Sequence, residues 1–200
     1  MESSSQACTA FHGDRRLASG SYGQVALAVR AFLKEQPHAA VLIFDDETGR
    51  QVDFDLRGSE QDVTARLGGS ESDAAASVRR PGRPKLGVVA REVTLLPRHW
   101  EWLGAQPGGA SVALRKLVEA ARTANAGSDM VRRAQEAADR FMMAMAGNLP
   151  HYEEAARALY AGHRQRFVDL TATWPADLRA HARRLAARAF ADAGDGLSDA

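Results

Sequence analysis

Cysteine is almost missing from this chain of 200 residues, with Cys8 the single example. One thiol makes no internal disulfide and no cysteine cluster for a structural zinc site. Long apolar runs are missing too, and nothing approaches the roughly 18 residues that span a bilayer. The N-terminal "MESSSQACTAFHG" has neither a basic stretch nor an apolar one, so it does not read as a secretory signal. These absences lead us to expect a cytoplasmic protein with no membrane partner. Histidines are few and scattered, at His12, His38, His99, His151, His163 and His181, without the spacing of a zinc-binding helix. No nucleophile–base pattern or phosphate loop is present either. The sequence therefore gives no catalytic residue, metal ligand or cofactor, and leaves an enzyme the least favoured reading.

Net charge is also near zero, at +1, but its distribution is uneven. Residues 1–78 carry seven Lys/Arg against twelve Asp/Glu. Residues 79–122 carry nine against three, and residues 123–200 balance at ten each. A net-basic middle suits an anion-binding face, although it can equally pair with the acidic N-terminal part.

The apolar pattern predicts an α+β fold. "CTAFHGDRRL" reads as a strand, a turn at Gly13-Asp14 and a return strand. "SGSYGQVALAVRAFLKEQ" reads as a helix capped by Ser19 or Ser21 and ended by Pro37. Val41 to Phe44 reads as a buried strand. After a turn at Thr48-Gly49, Gln51 to Leu56 alternates with period two, placing Val52, Phe54 and Leu56 inward. A short helix follows Ser59. Asp45-Asp46-Glu47 reads as a solvated hairpin tip, and Cys8 as a strand residue.

This gives a small α+β domain over 1–67. A basic Gly/Ser/Ala/Pro linker follows over 68–85, then a strand–helix–helix unit over 86–124 and a helical region over 127–193. Within the third part, Val88 to Leu96 reads as a strand and Pro97 opens a helix. Ser111 is expected to cap a second helix, and Ser128 a third that stops at Gly147. Gly162 is expected to split the next helix, and Pro175 to open the last. In the C-terminal helices Leu159, Tyr160, Phe167, Trp174, Leu178 and Leu185 form an apolar stripe. That stripe is either core or the face of an interaction module.

The strand ending "VTLLP", the helix "RHWEWLGAQ" and "GGASVALRKLVEAAR" together resemble a ribbon-helix-helix DNA-binding unit. The resemblance implies that two chains pair their strands into a ribbon for the major groove, and that Ser111 with the following backbone N–H groups holds a phosphate. The strand itself reads bases poorly. One face offers Arg91, Val93 and Leu95, the other Glu92, Thr94 and Leu96. "RPGRPK" resembles the Gly-Arg-Pro core of an AT-hook, with Arg83 as the residue entering the minor groove, although Pro81 stands where the hook has an arginine.

Over most of residues 9–190 the chain resembles a bacterial family known only as domain of unknown function 2239. The stretches "GSYGQVALAVRAF", "LIFDDETGRQVDFDLRG", "RPGRPKLGVVAREVTLLPRHWEWLGAQPGGASVALRKLVEAAR" and "WPADLRAHARRLA" carry that resemblance. It implies no activity.

The expectation is a non-enzymatic, dimeric transcriptional regulator that binds double-stranded DNA through Arg79, Arg80, Arg83, Lys85, Arg91, Ser111, Arg115 and Lys116. The alternative is an adaptor that uses the C-terminal apolar stripe.

Overall fold

A computed structural model describes residues 6–68, 89 and 91–190. The fold is α+β. Strands β1 (Ala7–His12), β2 (Arg15–Ser21), β3 (Val41–Asp45) and β4 (Gln51–Val52) form an antiparallel sheet in the order β2-β1-β3-β4. Helices α1 (Tyr22–Glu35) and α2 (Glu60–Gly68) accompany it in the N-terminal part. Then come α3 (Pro97–Gly104), α4 (Gly109–Ala146), α5 (Tyr152–Tyr160), α6 (Arg164–Leu170) and α7 (Ala176–Ala186), closed by a 3-10 turn over Ala187–Phe190. No helix among the described residues is long and apolar enough to cross a membrane.

The chain divides into two compact units, one of Met1–Asp73 with Ser128–Ala200, the other of Ala74–Gly127. In the first unit the central strands β1 and β3 are covered on both faces. Successive side chains of a strand point to opposite sides, and the sequence fills both. Cys8, Ala10 and Ile43 pack with Val25 and Val29 of α1. Phe11 and Phe44 point the other way, into Phe141, Met142, Leu159, Phe167 and Trp174 of the C-terminal helices. The sheet is thus the middle layer between α1 and residues more than a hundred positions later. Phe11, Phe44 and Phe141 form its aromatic centre, with ring centroids 5.1–6.3 Å apart.

Local signals explain most element ends. Ser21 caps α1 in a reciprocal capping box with Gln24, and the helix ends before Pro37. Ser59 and Asp62 exchange hydrogen bonds at the start of α2. Gly162, at φ +71°, separates α5 from α6. Val52, Phe54 and Leu56 pack inward as expected, but only Gln51–Val52 keep ladder bonds, so β4 is shorter than the alternation predicts.

Two helix starts differ from the expected ones. Gly108 and Gly109, at φ +87° and +74°, turn the chain so that α4 begins two residues before Ser111. Ser111 therefore lies in the first turn and is not the cap. Ser128 does not start a helix, because α4 runs unbroken through it to Ala146. Thr123 and Asn125, residues that favour turns, here bond back to the carbonyls of Glu119 and Ala121 inside the helix. The surrounding Ala, Arg and Glu residues offset the roughly 1 kcal/mol penalty of Gly127.

Candidate functional site

Four of the eight residues expected at a DNA-binding surface, Arg79, Arg80, Arg83 and Lys85, lie outside the described residues. The other four, Arg91, Ser111, Arg115 and Lys116, are all exposed. So are Arg98 and Arg122 in the same unit.

Of the expected strand over 88–96, residues 88 and 90 lie outside the described residues. Val89 and residues 91–96 join no ladder among the described residues, although the backbone at Leu96 is extended, with φ −66° and ψ 150°. A strand exists only where a second one supplies hydrogen-bond partners. The described residues of this segment have none among the described residues and are not part of the four-stranded sheet.

Pro97 occupies the first turn of α3, where its missing N–H costs nothing. At the start of α4, Gly109 donates its N–H to the Gln106 carbonyl at 2.9 Å. The Arg115 guanidinium folds back on the Ser111 carbonyl at 3.1 Å. Helical spacing puts Ser111, Arg115 and Arg122 on one face, with Lys116 about 100° further round. Arg122 is held by Glu119 at 3.1 Å. The structure thus brings Ser111 and Arg115 together and sets Lys116 apart from them.

The other unit contains a polar cluster that sequence reasoning missed. Asp46 accepts hydrogen bonds from the Thr9 hydroxyl at 2.9 Å and from Arg184 at 2.8 Å. Arg184 also donates to Thr9 Oγ1 at 3.0 Å and to His181 Nδ1 at 2.9 Å. Since Nδ1 accepts, the ring proton sits on Nε2, which is buried without a hydrogen-bond partner and lies 3.8 Å from Asp46. Burial, with Arg184 and Arg16 nearby, holds His181 down to about 3, so its imidazole is neutral at neutral pH.

The neighbouring Asp45 accepts from Tyr22 at 2.7 Å and from the Thr48 hydroxyl at 2.6 Å. Asp45 and Asp46 are therefore not a solvated hairpin tip. Asp45 is buried and Asp46 nearly so; both oxygens of Asp45 accept hydrogen bonds, and Oδ1 of Asp46 accepts two. Burial pushes the Cys8 thiol up to about 12, helped by the two aspartates, which leaves a strand residue without nucleophilic character. The only sequence signal for this cluster is the spacing of His181 and Arg184 on one helix face, and their acidic partner lies far off in the chain.

An open hollow lined by Asp55, Arg57, Gly58, Asp62, Ala65 and Arg66 is occupied by its own ion pairs, Arg57–Asp55 at 2.9 Å and Arg66–Asp55 at 3.6 Å. The described residues contain no group of three or more His, Cys, Asp or Glu placed to hold a metal. The C-terminal apolar stripe is mostly spent inside the protein. Leu159, Phe167, Trp174, Leu178 and Leu185 are buried, and only Tyr160 is exposed.

No curated relative and no solved structure matches the chain. A family model does, over residues 7–186, taking in both the sheet and the C-terminal helices, and the chain belongs to that family, described as an uncharacterized protein conserved in bacteria (DUF2239).

Proposed function

We propose that this protein is a non-enzymatic, dimeric transcriptional regulator that binds double-stranded DNA through its basic middle segment. The observation that carries this reading is the excess of cations there, nine Lys/Arg against three Asp/Glu over 79–122. Arg91, Arg98, Arg115, Lys116 and Arg122 are exposed within it. Exposed guanidinium and ammonium groups bind phosphate by displacing condensed counterions. The segment 86–122 supplies the ribbon-helix-helix resemblance, with Ser111 and Arg115 at the start of a helix, where the dipole favours an anion. Arg79, Arg80, Arg83 and Lys85, just before it in the sequence, add four more cations for the DNA backbone or minor groove.

The test is a gel shift of the full chain on random-sequence duplex DNA at two salt concentrations. A companion variant has Arg79, Arg80, Arg83 and Lys85 neutralised. Retardation at low salt that fades steeply with salt, and weakens in the variant, supports the reading. No retardation at low salt ends it.

A further inference from the structure

Among the described residues, β2 is the outer strand on one side of the sheet, beside β1. An outer strand has N–H and C=O groups that point away from its neighbour, and a strand from another molecule can pair with them. Cys8 and Ala10 of β1 stand opposite Gly20 and Ala18 of β2. The register then slips, with Phe11 opposite Arg16, which leaves Leu17 as a bulge. Just past the bulge the Arg16 N–H donates to Asp177 Oδ2 of α7 at 2.8 Å. At the other end of β2 the Ser21 N–H donates to Gln24 Oε1 of α1 at 3.0 Å. Both ends of the strand thus have a backbone donor occupied by a side chain.

Asp177 stands in the first turn of α7, where a carboxylate is favoured by the helix dipole. Its oxygen nevertheless reaches a strand 161 residues earlier in the chain. The same helix face fixes it there. Asp177, His181 and Arg184 stand at i, i+4 and i+7. His181 packs on Phe11 of β1, and Arg184 bonds Thr9 and Asp46. We infer that Asp177 closes the β2 edge against a second copy of this chain, whose own β2 would add antiparallel to it across a two-fold axis. This goes beyond the DNA reading and involves the other unit of the chain.

The residues of β2 make a second copy the strand that fits. Arg15 and Arg16 lie at one end, and Ala18, Ser19 and Gly20, small and uncharged, toward the other. Antiparallel pairing about a two-fold axis sets the basic end of one copy against the small end of its partner, so the arginines are not opposed. A sheet extended in this way is continuous across both copies. The carboxylate on the Arg16 N–H takes a donor that such a ladder needs, and it brings the start of α7 against the same edge. Proteins protect outer strands by such means, with bulges, charges and covering elements.

The experiment compares wild type, Asp177→Ala and Asp177→Asn as full chains without DNA, by sedimentation equilibrium over a concentration series. Far-UV circular dichroism checks that each is folded. Asp177→Ser, too short to reach Arg16, takes the place of an alanine chain that does not fold. Both main variants lose the charge at the start of α7, but asparagine keeps a carbonyl oxygen for the Arg16 N–H. The alanine chain is expected to reach about twice the weight-average mass of wild type, and the asparagine chain to match wild type. Amide exchange at Arg16 should be about tenfold faster in the alanine chain and near wild type in the asparagine chain. A folded alanine chain with the mass of wild type overturns the inference. So does an equal change in the asparagine chain, which would report the lost helix charge. Ser19→Lys added to Asp177→Ala puts a cation on the exposed edge and is expected to return the mass to that of wild type. Association that Ser19→Lys leaves unmoved comes from another surface and also overturns it.

Discussion

Arg184 of α7 and Asp46 beyond the end of β3 meet at 2.8 Å, joining the last helix to the sheet. The aspartate side chain is 11% exposed while the guanidinium is about half exposed. Removing the carboxylate strands the buried Thr9 hydroxyl and leaves the imidazole N–H of His181, which already lacks a hydrogen bond, without the carboxylate 3.8 Å away. Asp46→Ala is expected to destabilise the protein by about 2 kcal/mol. Arg184→Met, which keeps the apolar stem and loses a half-exposed charge, should destabilise it by less. Urea unfolding midpoints of the two variants give the order, and an inverted order refutes this account.

His181 links the same cluster to pH. Its folded pKa, about 3, lies below the ordinary value of 6.5, so the unfolded chain binds the proton first. Its contribution is complete above pH 6.5 and is lost as pH falls toward 3, at a slope of at most about 1.4 kcal/mol per pH unit. Arg184, Arg16 and Asp46 are the charged groups beside it, and Phe11 and Phe141 pack against its ring. His181→Asn keeps an acceptor for Arg184 and removes the titration. Melting temperatures of the variant should fall less than those of wild type between pH 6.5 and 4, and parallel curves would contradict the assignment.

How much of this was legible in the sequence depended on distance along the chain. "CTAFHGDRRL", with its turn at Gly13-Asp14, and the apolar run from Val41 to Phe44 marked the two central strands. Turn and cap residues marked α1 and the break at Gly162. What no local pattern joins is Phe11 and Phe44 to Phe141, or Asp46 to Arg184, because each pair comes from opposite ends of the chain. "DDE" read as a solvated tip for the same reason, since its donors Thr9, Tyr22 and Arg184 belong to three other elements. The continuity of α4 was hidden by Gly127 and Ser128, whose weak preference for a break yields to the 38-residue helix around them. The cations of the candidate DNA surface were readable by composition, whereas their placement on different sides of α4 required the helix phase.

Gly49 tests the seating of the β3–β4 turn. It has φ +66°, and a Cβ there would stand 2.0 Å from the Ala137 carbonyl oxygen of α4. Arg140 of the same helix donates to the Thr48 carbonyl at 2.8 Å, so the turn is pinned against α4. Gly49→Ala combines left-handed backbone strain with a backbone clash and is expected to destabilise by more than about 3 kcal/mol. Gly162, at φ +71° with nothing within 4 Å, is the control. Gly162→Ala should lose only the backbone term of about 1–2 kcal/mol. Equal losses in urea titrations would mean that Gly49 is not in close contact with α4.

Cys8 is fully buried in β1, and its thiol is pushed up to about 12 from an ordinary value of 9. The native protein should therefore leave an aromatic disulfide reagent unreacted at pH 8, with one thiol per chain appearing on unfolding in urea. The raised value also means that the stability contributed by the neutral thiol is complete below pH 9 and is lost as pH climbs toward 12. Cys8→Ala removes that alkaline dependence while opening a small cavity. Fast labelling of the folded chain would show that the sheet opens at β1 far more readily than its burial implies.

The DNA reading has a quantitative signature in salt. For a duplex ligand the logarithm of affinity falls with the logarithm of salt concentration, by about 0.9 for each phosphate neutralised. Arg115→Ala should lower the steepness of that line by about one unit if Arg115 contacts a phosphate, and Lys116→Ala should do the same. Their directions around α4 differ by about 100°, so a single duplex lying along one face engages one of them more than the other. Unequal slopes identify the face of α4 turned to the DNA, and equal slopes require contact that wraps the start of the helix. Neutralising Arg79, Arg80, Arg83 and Lys85 together should remove about 3 to 4 units if the arm lies on the backbone. An unchanged slope in all of these variants, measured by fluorescence anisotropy from 50 to 200 mM salt, shows that phosphate contacts come from elsewhere and withdraws the basic segment as the binding surface.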